Sequence, residues 1–177
     1  MKLKIKKTSE NARIPSYAHV GDACFDISVI VGIGDEEKPL VYSEYEQRFV
    51  EAKEVAYGAS SGKPEVTIRP GNTVMFHTGL KFETEYGYCM KVHVRSSTGI
   101  KKNLILSNCT GVIDTAQYRG EMMVALTNIG STVQKVHDGE RVAQGEIQKC
   151  LEVEIEEVSE LSETERGEGG IGSTGGH

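Results

Sequence analysis

Apolar and polar residues alternate in short runs along most of this chain, and the runs arrive at the spacing of an all-β barrel or sandwich. Lys2 to Lys7 alternates cleanly and predicts an edge or partner-pairing strand. Asn11 to His19, broken by Pro15, reads as loop, and Gly21 to Ile30 reads as a second strand carrying Asp22 and Asp26. Val66-Thr67-Ile68 runs into the Pro70-Gly71 turn and is followed by strands over Thr73–His77, Gly79–Phe82 and Met90–Val94. Arg95 to Gly99 reads as a turn before a strand over Asn103–Ser107. Further strands are expected at Val133–Val136, Val142–Ile147 and Leu151–Val158, where apolar residues alternate with Glu152, Glu154, Glu156 and Glu157. The stretch Asn108 to Glu121 stands at the centre of this pattern. Val112-Ile113 delivers Asp114 into a polar turn, and Met122 to Leu126 follows, so the two runs read as a β-hairpin.

Two regions break the rhythm. From 32 to 63 the pattern loosens into a surface insertion, with a helical period around Ser43 to Val55 as its strongest signal and either a hairpin or one helical turn as its content. Such an insertion could hold a face for a protein partner or be a solvated loop. From Ser159 onward the chain is acidic and then glycine-rich, with six glycines in the twelve residues from Arg166 to His177. That composition cannot pack a core and reads as a disordered tail. The same backbone amides, with Arg166, Ser173 and Thr174, would also suit a mobile arm that wraps phosphates. The division expected is a core over 1–158 and an arm over 159–177.

Composition narrows the function. The 177 residues suit one domain with a real core, and a net charge of −6 argues against nucleic-acid binding through a basic surface. No run approaches the roughly 18 apolar residues of a membrane span, and the basic amino terminus lacks the apolar segment of a signal peptide. Cys24, Cys89, Cys109 and Cys150 are scattered without a paired motif, so the expectation is a reducing cytoplasmic setting with no zinc site or disulfide framework.

Asp114 is the chemical focus. A carboxylate at the tip of a rigid hairpin beside Tyr118 could serve as a base next to a stacking platform, or could simply bond the turn's own backbone. His77 and His93 read as structural, and Met122-Met123 as core or interface packing.

Five segments in order resemble the homotrimeric dUTP diphosphatases (dUTPases). They are Asp22 to Ile27, Arg95 to Gly99, Asn108 to Glu121, Gly139 to Gln144 and Arg166 to Gly175, with Ile68 to Gly71 and His77 to Leu80 as further landmarks. The likeness spans nearly everything outside about 32–63, an insertion of the kind seen among viral and phage enzymes. It implies a jelly-roll-like barrel, a homotrimer with shared sites and a swapped arm, dUTP as substrate and Mg²⁺ as cofactor. By resemblance, Asn108, Gly111, Val112 and Ile113 would read the uracil, and Tyr118 would stack under the deoxyribose. Asp114 would activate the attacking water, and Asp26 would hold Mg²⁺ through a water. Arg95, Ser96, Ser97 and Gln144 would contact phosphates from a neighbouring subunit. Arg166, Gly170, Gly172, Ser173 and Thr174 would close over them, with Ile171 on the base.

The chain departs from the family pattern at several places. Cys24 stands where the family usually has Gly, and Ser97 and Gly145 are unusual. One residue is added between Asp114 and Tyr118, so either Gln117 bulges or the sugar platform shifts. Ile171 replaces a Phe. The rival of the same fold, dCTP deaminase, places a catalytic Glu three residues before the Asn that ends the hairpin strand; here that position is Ala125, before Asn128. A nucleotide-sensing regulator built on the same pocket is the other alternative.

Overall fold

The computed structural model describes residues 1–32, 38–43, 48–51, 56–57 and 62–169. Its elements run β1 (Lys4–Lys7), β2 (Phe25–Ser28), β3 (Leu40–Ser43), β4 (Arg48–Glu51), β5 (Ala56–Tyr57), β6 (Pro64–Ile68), β7 (Thr73–His77), β8 (Leu80–Glu83) and β9 (Tyr88–Val94). A short helix, α1 (Ser96–Lys102), precedes β10 (Leu104–Leu106), β11 (Gly111–Ile113), β12 (Met123–Asn128), β13 (Gln134–His137) and β14 (Arg141–Lys149). The expected all-β architecture is present. Among the described residues no helix is long and apolar enough to cross a membrane.

Two larger sheets enclose the core, one ordered β10-β12-β7-β3-β4 and the other β11-β9-β14-β2; smaller β13-β6-β5 and β1-β8 groups flank them. Period-two burial explains the packing. In β7, Val74 and Phe76 point inward; in β8, Leu80 and Phe82; in β12, Val124 and Leu126. These meet Ile27, Val92, Leu104 and Val142 in one apolar cluster. Gly145 of β14 lies under the Phe25 ring, where a Cβ would stand 2.7 Å from the ring edge. The ring in turn meets Tyr17 edge-on at 5.8 Å. Gly145 therefore has a packing reason here.

Three expectations are corrected, and one open alternative is decided. The runs around Val112 and Val124 do not pair with each other: β11 pairs with β9, and β12 pairs with β10 and β7. Chain proximity suggested a hairpin, but the segment crosses between sheets, turning at Cys109 in a left-handed conformation (φ 62°). Arg95 to Gly99 is not a turn. Arg95 is the extended cap of α1, and Gly99 N donates to Arg95 O at 2.9 Å. The helix is held by burial of Thr98 and by the left-handed Asn103, whose N–H returns to Thr98 O. Around 43–55, residues 48–51 form a strand, pairing with β3 in a hairpin added beside β7; residues 44–47 and 52–55 lie outside the described residues. Leu151–Val158 forms no strand. The β14 ladder ends at Lys149, and Leu151, Val153 and Ile155 stand exposed beyond it, with no strand alongside among the described residues.

Candidate active site

The sheet β11-β9-β14-β2 carries two separate clusters. On β2 and β14, Asp26 lies opposite Gln144, and Gln144 lies opposite His93 of β9, so the three share a face. Asp26 is nearly buried, its side chain 11% exposed, and both oxygens are engaged. Arg95 Nε donates to Oδ1 at 2.7 Å and Arg141 Nη1 to Oδ2 at 2.9 Å. Arg95 also donates through Nη1 to Arg141 O at 3.2 Å, so the end of β9 and the start of β14 are tied through one carboxylate. Ser96 and Ser97 are exposed on the first turn of α1. This brings Asp26, Arg95 and Gln144 together. It adds Arg141, quoted within its motif but given no role, because nothing in the sequence reveals that it meets Asp26.

The second cluster lies past β11. Asp114 is exposed, and among the described residues its carboxylate has no hydrogen bond or ion pair. Its backbone, by contrast, is fully used. Asp114 O accepts from both Gln117 N (2.8 Å) and Tyr118 N (2.7 Å), closing one helical-type turn. Asp114 to Tyr118 thus wind into a single turn. Arg119 secures the turn, donating to Thr115 O, Ala116 O and Tyr118 O at 2.9–3.0 Å. Below it, the buried Thr115 and Thr84 hydroxyls meet at 2.6 Å.

Tyr118 folds back so that its hydroxyl donates to Glu121 O at 3.1 Å, with the ring directly over Gly120. A Cβ on Gly120 would fall 2.1 Å from the phenolic oxygen. A side chain at Gly120 would push the ring out of this position. Tyr118, Asp114, Val112 and Ile113 line a cavity of about 350 Å³ with Met75, Glu121, Met122 and Met123. Sequence reasoning assigned Met122-Met123 to packing; Met122 is buried, yet both border this cavity.

Glu121 is the cavity's other acid and is fully committed. Oε1 accepts from Thr78 N (3.0 Å) and Gly79 N (2.7 Å), and Oε2 lies 3.0 Å from His77 Nδ1. Burial works against its ionisation, but the bonds to His77, Gly79 and Thr78 outweigh it and hold the carboxyl below the usual range. His77 thus spends its Nδ1 on Glu121. Asn108 is exposed at the turn leading into β11, and Gly111 packs against Val92.

The arm is described to Gly169. Arg166 sits in an exposed turn, its Nε donating to Gly169 O at 2.9 Å. Gly170, Ile171, Gly172, Ser173 and Thr174 lie outside the described residues.

The order of these clusters along the chain can be set against known proteins. The sequence model described as dUTPase matches residues 60–175. The chain belongs to the dUTPase family. A deoxyuridine 5'-triphosphate nucleotidohydrolase of Nautilia profundicola is 36% identical over 99% of both chains. In structure, the chain is similar to the dUTPase of Staphylococcus bacteriophage 80alpha, solved with dUPNHPP, at a TM-score of 0.72 with 98% of both chains covered and 23% identity. It is also similar to a mutant dUTPase from phage phi11 of S. aureus, described with a structural Mg(II) ion, at a TM-score of 0.66, 19% identity, and 92% and 100% coverage. These two likenesses support the dUTPase fold.

Proposed function

We propose that this protein hydrolyses dUTP to dUMP and pyrophosphate, and that Asp114 is its general base. The observation that carries the reading is the contrast inside one cavity: both oxygens of Glu121 are engaged, while the Asp114 carboxylate has no partner among the described residues and its carbonyl accepts two backbone bonds. A base must have a lone pair available to a water and must be held in place. Asp114 takes a proton from water as its oxygen attacks the α-phosphorus in line, and the β-phosphate oxygen leaves with pyrophosphate. Asn108 and the backbone of Gly111 to Ile113 read the base edge, where a mismatched base would leave amide groups unpaired. Tyr118, braced by Gly120, lies under the sugar.

The phosphate side requires a second copy of the chain. From the register, Asp26 and Asp114 sit on outer strands of the sheet and about four residues apart along it; strand spacing and rise put them roughly 20 Å apart. We place Arg95, Ser96, Ser97 and Gln144 of a neighbouring copy on the triphosphate, in a homotrimer. The exposed apolar residues Leu151, Val153, Ile155 and Leu161 support the same assembly, because an arm crossing to a neighbour would cover them. Arg166, Gly170, Gly172, Ser173 and Thr174 then close over the phosphates, and Ile171 covers the base.

Mg²⁺ fits this donor set in one way. Among the described residues no group of three or more His, Cys, Asp or Glu could hold an ion, so the triphosphate and waters must supply most ligands, as is usual for this cation. A carboxylate can accept about four hydrogen bonds, and Asp26 spends two on arginines; it would hold the ion through a water. Bound there, Mg²⁺ would neutralise phosphate charge.

Hydrolysis of dUTP, dTTP, dCTP and UTP, in Mg²⁺ and in EDTA, tests the reading. Metal-dependent pyrophosphate release from dUTP alone is expected, from a species of trimer mass by light scattering. Ammonia release from dCTP would instead establish a deaminase, and silence on all four with dUTP still bound would establish a sensor.

A further inference from the structure

Two of the four cysteines, unremarkable in the sequence, meet beside this site. Cys89 of β9 lies opposite Gln148 of β14, and the pairing runs on so that Cys150 N donates to Gly87 O at 2.8 Å. Alternation therefore puts Cys89 and Cys150 diagonally adjacent on one face. Cys89 is buried and Cys150 exposed, both are free thiols, and Cys150 Sγ lies 3.8 Å from the carbonyl oxygen of Gln148, the residue opposite Cys89. Ile113 pairs with Met90, so the register carries Asp114 opposite Cys89, whose thiol feels the Asp114 charge. Cys150 is also the last residue before the chain leaves the barrel as the arm.

We propose that Cys89 and Cys150 form a reversible thiol–disulfide site, closed by a small-molecule disulfide of the glutathione type, that pins the root of the arm beside Asp114. The two thiols are suited to different steps. Burial, reinforced by the neighbouring Cys150 thiol, pushes the Cys89 thiol up to about 11, so it stays protonated and is a poor first nucleophile. Cys150 is the thiol that solvent reaches. Its thiolate attacks one sulfur of the oxidant, forming a mixed disulfide and releasing one small thiolate. Cys89 then gives up its proton to solvent and attacks the Cys150 sulfur, expelling the second small thiolate. Two protein thiols and one small disulfide become one protein disulfide and two small thiols. A single bond at Cys150 then ties the chain to β9 at the point where it leaves the barrel, which limits how the arm beyond it can swing.

The test uses the full chain in oxidised and reduced glutathione buffers, with thiols counted by alkylation and intact mass. The expected result is loss of two of the four thiols and of two hydrogens of mass, a linked Cys89–Cys150 peptide after digestion, and full reversal by dithiothreitol. Cys150→Ser should leave Cys89 unmodified, while Cys109→Ser should change nothing at the pair. Persistence of a free Cys89 with glutathione held only on Cys150 would overturn the proposal. The control of the arm rests on the dUTPase reading and has its own readout: dUTP turnover should fall in the linked wild type and not in oxidised Cys150→Ser. A linked form that turns over at the reduced rate would overturn that control while leaving the bond itself established.

Discussion

Asp26 and Asp114 sit on opposite edges of the same sheet, and their surroundings could hardly differ more. Asp26 is nearly buried and holds an arginine on each oxygen. Asp114 is exposed and holds nothing on its side chain among the described residues, while its carbonyl anchors a turn. A carboxylate between two guanidinium groups is a positioning device: it fixes Arg95 against Arg141 and has both oxygens engaged. A carboxylate on a clamped backbone with an open side chain is suited to proton transfer. The lesson is that acidity of composition says little, and that the partners each acid has already taken decide what it can do.

The sharpest way to break this comparison is to remove each acid's charge in turn. Asp114→Asn keeps the shape and the turn, because the backbone supplies the turn's bonds. Turnover of dUTP should fall about 10²–10⁴-fold, the usual worth of a general base, with binding of a non-hydrolysable analogue unchanged. Stopped-flow pyrophosphate release and calorimetry separate the two. Wild-type turnover in this variant would return Asp114 to the role of a turn residue.

How far the sequence alone could carry this contrast depends on the range of the interactions. Period-two patterning located nearly every strand, since burial of alternate residues is a local signal that Val74, Phe76, Val124 and Leu126 obey. It could not say which strands pair. Val112 and Val124 are neighbours in sequence but join different sheets. Helix α1 escaped because Ser, Thr and Gly are weak helix formers, and burial of Thr98 with the Asn103 cap decides the matter. Leu151–Val158 carried a strand pattern with no pairing partner among the described residues. The site residues themselves were legible as motifs. The Arg141 clamp was not, because it joins residues 115 positions apart. Glu121 was passed over for a related reason: its partners His77, Thr78 and Gly79 lie more than forty residues upstream.

Glu121 sharpens the comparison from within Asp114's own cavity. Glu121→Gln weakens charge-assisted bonds to Thr78, Gly79 and His77, and should cost about 1–3 kcal/mol of stability near neutral pH. The pH dependence follows from the direction of the shift. Its folded-state carboxyl is more acidic than the ordinary value of 4.5, so the unfolded chain takes up the proton first. The contribution is fully present above that value and is lost as pH falls below it toward the folded-state value. Urea denaturation of wild type and Glu121→Gln should therefore show a gap that is constant near neutrality and narrows below about pH 4.5. A gap that stays constant into acid would mean that the lost bonds, and not the charge, carry the effect.

The smallest effect belongs to the Asp26 side. Arg141 is 56% exposed, whereas Arg95 is 26% exposed, so water screens the first pair more than the second. Arg141→Ala leaves Asp26 bonded to Arg95 and frees one oxygen. The stability cost should lie within the roughly 0.2–1 kcal/mol of an exposed ion pair. Its kinetic signature should be distinct from that of Asp114→Asn: a modest rise in KM, with kcat held, because Arg95 loses a brace while the base is untouched. If Arg141→Ala instead lowered kcat as deeply as Asp114→Asn, Arg141 would have to meet the reacting phosphate itself, and the division between a positioning acid and a reacting acid would need to be redrawn around the guanidinium groups.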